Sequence, residues 1–165
     1  MGVKTKIEWC DASWNPVTGC YHTCEYCYAR RMANRFGAGW ENISNKTLHT
    51  LNNPAIGMRC GKSESKVEPY PYGFQPTFHR YRLDQLKKWV KPKTIFVCSM
   101  ADLFGEWVPD SWIQEVFDTC NESPQHRYLF LTKNPKRYGE LYRKDMMPAG
   151  EKSWNKWYGY ARQLP

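Results

Sequence analysis

Cys20, Cys24 and Cys27 stand at the spacing C-x3-C-x2-C inside GCYHTCEYCYARR, with Arg30 and Arg31 close behind. Thiols this close together read as metal ligands or redox groups. A closed structural zinc site takes four ligands. His22 lies between Cys20 and Cys24, where so tight a loop has trouble folding all four groups onto one tetrahedron. Cys10, Cys60 and His49 are the other candidates for a fourth ligand. A cubane iron–sulfur cluster has four irons, so three thiolates leave one iron open. An open position on a metal centre is where metal catalysis takes place.

The chain carries seven cysteines in 165 residues, an odd number that cannot all pair internally. Cys10, Cys60, Cys98 and Cys120 are scattered and read as small buried hydrophobes. The N-terminal MGVKTKIEW has no apolar signal-peptide core, and no run approaches the roughly 20 apolar residues of a membrane span. The expectation is a cytoplasmic protein, in which clustered thiols serve metal or redox chemistry rather than disulfides. Hydrophobic residues make up 41 % and aromatics 16 %, which predicts one globular domain over residues 1–165. The formal net charge of +8 favours an anionic partner such as nucleic acid, although a solvated basic surface has the same composition. Positive residues recur in helix-like segments, at Arg80, Arg82, Lys87 and Lys88, then at Lys136, Arg137, Arg143 and Lys144.

The elements that would position the thiols follow from periodicity. A short strand is expected to end near Thr18 and Gly19, with the cysteines in the loop after it. CYARRMANRF, 27 to 36, reads as a helix closed by Gly37 and Gly39. Residues 38 to 78 are rich in Asn, Pro and Gly and read as a long irregular insertion. Its aromatic end, Tyr70 to Phe78, suits either a lid or packing. HRYRLDQLKKWV, 79 to 90, places Tyr81, Leu83, Leu86, Trp89 and Val90 on one helical face. KTIFVCS and RYLFLT are short apolar runs suited to buried parallel strands. A helix over 109–123 separates them, with Pro109 at its start. NPKRYGELYRKD, 134 to 145, predicts a further helix despite Gly139, and WNKWYGYARQL a last strand. Alternating strands and helices predict an α/β fold with a parallel sheet. Such a sheet gathers its chemistry at the C-terminal strand ends. The cysteine loop, Ser99 to Asp102 and Thr132-Lys133 all fall there.

The cysteine spacing, with the aromatic Tyr26 before the third thiol, resembles the radical S-adenosylmethionine superfamily. The blocks TKIEWCDASWNPVTGC, PTFHRYRLDQLKKWVKPKTIFVCSMADLF and YLFLTKNPKR resemble, in order, a phage- and prophage-associated family of three-Cys-motif proteins. That family is radical-SAM-like and carries a domain of unknown function. The likeness runs from Thr5 to Tyr138. It implies a partial TIM-type (βα) barrel of parallel strands, with a 4Fe–4S cluster on Cys20, Cys24 and Cys27. It implies S-adenosylmethionine on the open iron and an external electron donor. The reaction implied is reductive cleavage of S-adenosylmethionine to a 5′-deoxyadenosyl radical that takes hydrogen from a substrate. Tyr26 would lie near the adenine. Ser99 and Asp102 are candidates to hydrogen-bond the ribose or methionine part, although both residue types also cap loops and helices. Lys133 is a candidate partner for a substrate carboxylate or phosphate.

The family pattern has Asn and His where this chain has Cys98 and Gly105. It also continues into further strands and a Gly-Gly-Glu-type segment, so a chain ending at Pro165 is expected to be a shortened copy with an exposed sheet edge. Three functions are therefore in play. One is a radical S-adenosylmethionine iron–sulfur protein acting on an unknown substrate, with nucleic acid the class that charge favours. Another is a zinc-stabilised basic nucleic-acid-binding module. The third is a truncated, inactive remnant.

Overall fold

The computed structural model describes residues 7–36, 46–57 and 66–143. Along the chain come β1 (Ala12–Trp14), β2 (Val17–Thr18), α1 (Tyr28–Phe36), β3 (His49–Leu51), β4 (Ile56–Gly57), β5 (Lys66–Val67) and β6 (Thr77–His79). A 3₁₀ helix (Arg80–Lys88) follows, then β7 (Thr94–Val97), α2 (Asp110–Asn121), β8 (Arg127–Phe130) and α3 (Pro135–Arg143). The strand expected in the tail, and Cys60, lie outside the described residues.

The fold is mixed α/β around a parallel sheet of three strands in the order β1-β7-β8. Ala12 pairs with Ile95 and Trp14 with Val97; Ile95 in turn pairs with Tyr128 and Val97 with Phe130. The central strand β7 has three of its four residues buried, which fits its unbroken apolar sequence. Between β7 and β8 runs α2, which buries Trp112, Ile113, Val116, Phe117 and Cys120. Asp110 stands in its first turn, where a carboxylate complements the helix dipole. Phe104 lies at the centre of an aromatic group, with ring centroids 6.2 Å from Phe117, 5.9 Å from Phe130 and 5.0 Å from Tyr138. No helix among the described residues is long and apolar enough to cross a membrane.

Three expectations change. The first strand is two strands: β1 joins the parallel sheet, and after Asn15-Pro16 the chain turns into β2, which pairs antiparallel with β6. The expected irregular stretch contributes β3, β4, β5 and β6. β6 is fully buried between β2 and β3, so this part of the segment is built into the body of the protein. Residues 80–88 form a 3₁₀ helix rather than an α-helix. The apolar positions Leu83, Leu86 and Trp89 recur every three residues, the repeat at which 3₁₀ side chains align. Leu86 is fully buried, with Leu83 and Trp89 packed beside it. Gly139 is accommodated inside α3, with open space where a Cβ would stand.

Candidate metal centre

The site is built where three loops meet. Gly19 opens the cysteine loop with its amide on the Met100 carbonyl at 2.9 Å and a parallel bridge to Ala101. The next amide, Cys20 N, donates to Phe74 O at 3.2 Å. The loop is thus threaded between the chain before β6 and the chain after β7. Only glycine fits at its entrance. Gly19 has φ +84°, and a Cβ there would stand 2.2 Å from the Gln75 carbonyl oxygen.

Asp102 ties the loops together. Its carboxylate is buried at 6 % exposure, and both oxygens accept from the chain itself. Oδ1 accepts from Thr132 Oγ1 at 2.7 Å and Phe104 N at 3.1 Å. Oδ2 accepts from Lys133 N at 2.9 Å and lies 3.1 Å from His22 Nε2. A buried carboxylate needs such partners, and charge-assisted bonds of this kind are among the stronger ones. Asn15 does a smaller version of the same work, its Oδ1 accepting from Ser99 Oγ at 3.1 Å and Met100 N at 3.0 Å. The Tyr28 hydroxyl donates to the Ser99 carbonyl, which fixes the start of α1 against the same loop.

The three thiols are half-buried on this platform. Each sulfur has an N–H donor: His22 N to Cys20 Sγ at 3.4 Å, Arg30 N to Cys27 Sγ at 3.4 Å, and the Lys133 ammonium to Cys24 Sγ at 3.1 Å. Lys133 Nζ also donates to the Tyr26 hydroxyl at 2.9 Å and lies 5.1 Å from the centre of its ring. These bonds to Tyr26 and Cys24 hold the Lys133 ammonium above its ordinary range. Burial pushes the Cys20 thiol up to about 11. Arg30 donates to the His22 carbonyl at 2.7 Å and closes the loop from behind.

Among the described residues no three His, Cys, Asp or Glu side chains stand grouped to hold a single metal ion. Soft thiolates with N–H donors on their sulfurs are the ligand type and surroundings of an iron–sulfur cluster, whose ligands are spread over several irons. The donor set therefore fits that group in chemistry. His22, the zinc-ligand candidate of the loop, faces Asp102 instead.

A family model described as "Protein of unknown function (DUF5131)" matches residues 4–162. The chain belongs to the DUF5131 family. No curated protein and no solved structure matches it.

In this DUF5131 chain Lys133 joins Cys24 and Tyr26, and Asp102 holds the Lys133 amide, beside the loop that carries Cys20 and Cys27. Ser99 stands beside them but turns its hydroxyl to Asn15. Sequence reasoning gave no role to Asn15 and Tyr28, and marked Thr132 and Arg30 by position alone. Asn15-Pro16 carried the signal of a turn, and Tyr28 carried none. The aromatic segment before β6 packs on β3, where His49 stacks on Tyr72 at 3.8 Å with its Nε2 2.6 Å from Gln75 Oε1, and meets the cysteine loop at Phe74, whose carbonyl accepts from Cys20 N. Trp14 is core, whereas Trp9 is 43 % exposed and packs on Phe96.

Cys98 and Gly105, where the resemblance implies Asn and His, also find places. Cys98 is buried and has φ +55°, a left-handed conformation that Asn tolerates more readily than most residues. At Gly105 an added Cβ would meet the Trp107 ring at 2.5 Å. Trp107 fills that space and packs against His22, with ring centroids 4.9 Å apart.

Proposed function

We propose that this chain holds a 4Fe–4S cluster on Cys20, Cys24 and Cys27 and uses it with S-adenosylmethionine for radical chemistry on a bound substrate. The observation that carries the reading is the set of three sulfurs on one loop, each with its own N–H donor. When bound, such a cluster supplies one electron at an open iron, and S-adenosylmethionine supplies the radical which that electron releases. Residues of the chain do the rest. Hydrogen bonds to the sulfurs stabilise their thiolate form and tune the centre. Lys133 sets a positive charge beside Cys24, and Asp102 holds the Lys133 amide in place. Asp102 is thus a positioning residue, since its oxygens are taken by the chain's own donors. Tyr26, 74 % exposed, is free on its outer side to pack an adenine. The parallel βα arrangement supports a radical-SAM-like partial barrel, with the site at the strand ends.

The test is anaerobic purification and reconstitution with iron and sulfide, counting iron per chain beside a Cys24→Ala control. About four irons per chain, lost in the control, are expected. Formation of 5′-deoxyadenosine from S-adenosylmethionine under reduction is the activity to follow. Zinc bound without iron or labile sulfide would replace this reading with the zinc-stabilised module.

A further inference from the structure

The helix α1 is turned inside out relative to an ordinary surface helix. It buries the small Ala29 and Ala33. It exposes Tyr28 at 50 %, Met32 at 41 % and Phe36 at 41 %. These three are spaced by four residues and so form one stripe along the outer face. Large apolar side chains aligned on the outside of a helix mark a surface that meets something.

The charge around the stripe says what that is. α1 carries Arg30, Arg31 and Arg35 and no acidic residue. The exposed Arg31 and Arg35 flank the stripe, and the Arg35 guanidinium lies 5.3 Å from the Phe36 ring centre. The same pairing of cation and ring recurs around the cysteine loop, with Lys133 over Tyr26 at 5.1 Å, Lys46 over Tyr21 at 5.9 Å and Arg30 over Phe74 at 5.5 Å. Three such pairs gather at the cysteine loop and a fourth stands at the end of α1, while two more, Arg80 over Phe78 and Arg82 over Tyr81, lie at β6 and the 3₁₀ helix. Exposed rings such as Tyr26 and Phe36, each with a cation over one face, combine the two groups a single-stranded nucleic acid uses: rings for its bases and cations for its phosphates. A second copy of a chain with net charge +8 would bring like charges together.

We propose that the outer face of α1, continuing over Tyr26 to Lys133, is a binding surface for a single-stranded nucleic acid, laid alongside the three-thiol loop. The inference goes beyond the cluster reading and does not need it, because the surface is complete without metal.

The experiment measures binding of fluorescent 20-nucleotide dT and U strands to the full metal-free chain, across a salt series. A 20-base-pair duplex and anionic phosphatidylserine vesicles serve as competitors. Single strands are expected to bind, with affinity falling steeply as salt rises. The double change Arg31→Ala/Arg35→Ala should weaken binding about tenfold and flatten the salt slope, each arginine contributing about one phosphate contact. Phe36→Ala should weaken binding severalfold and leave the slope as it was. Lys87→Ala/Lys88→Ala, on the 3₁₀ helix, should change little. Circular dichroism confirms that each variant is folded. No binding at about 50 mM salt would overturn the inference. So would binding that the α1 variants leave intact, duplex or vesicles bound in preference, or a self-association that Phe36→Ala abolishes. Iron loading is scored separately, so failure of the surface and failure of the cluster are distinct results.

Discussion

At the scale of single residues the site depends on a few positions whose alternatives are excluded by geometry. Gly19 is the clearest. Its left-handed φ and the Gln75 carbonyl behind it leave no room for a side chain. Gly19→Ala must therefore adopt an unfavourable conformation and also displace the backbone of Phe74 and Gln75. The expected loss is about 3 kcal/mol or more, read as a lower urea midpoint with an unchanged denaturant slope. Asp102 shows a different limit. Its place after a strand marked it as functional, but the sequence could not show that both oxygens would be taken by donors from residues 22, 104, 132 and 133. A carboxylate that looks free in a sequence can be wholly spent inside the protein.

At the scale of elements, legibility followed burial. β7, α2 and β8 were readable because their apolar runs are long enough to carry a period, and the structure keeps them within a residue or two of expectation. β2 and β6 were not, because strands of two and three residues contain no period to read. They exist through partners far along the chain. The 3₁₀ helix was half legible: its apolar residues were identified, but their repeat of three was taken for an α-helical face. Docking of α3 rests on a contact no pattern announced. Arg137 donates to the carbonyls of Gly105 and Val108 and pairs with Asp110 Oδ1 at 2.8 Å. Arg137→Met removes these bonds while keeping most of the stem. A loss of about 2 kcal/mol is expected, with faster amide hydrogen exchange in α3 than in α2.

At the scale of the whole molecule, a buried imidazole links stability to pH. His79 is fully buried beneath Thr18 and Tyr81, with Nε2 2.9 Å from Thr18 Oγ1. Burial, helped by the positive charge of Arg82, pushes its pKa down to about 3 from the ordinary 6.5. Above pH 6.5 the ring is neutral in both folded and unfolded chains, and its effect on stability is constant. Below 6.5 the unfolded chain takes up a proton that the folded chain refuses until about pH 3. Stability therefore falls with pH across that window, by about 1.4 kcal/mol per unit from this group. In His79→Gln the slope should be shallower between pH 6.5 and 4, as followed by urea midpoints. Burial also lowers His126, which remains in the variant and keeps some slope. Equal slopes in the two proteins would show that His79 does not carry the effect.

The register of the parallel sheet has a consequence for how the protein comes into being. Ala12 pairs with Ile95, and Gly19 bridges to Ala101. The thiol-bearing loop therefore leaves the ribosome long before the strand that supports it. Until residues 94–102 have been made, the three thiols hang on an unsupported segment, and the closing of so long a span is a slow step. The surroundings that give the sulfurs their donors, Lys133 over Cys24 among them, therefore come together only late in the making of the chain.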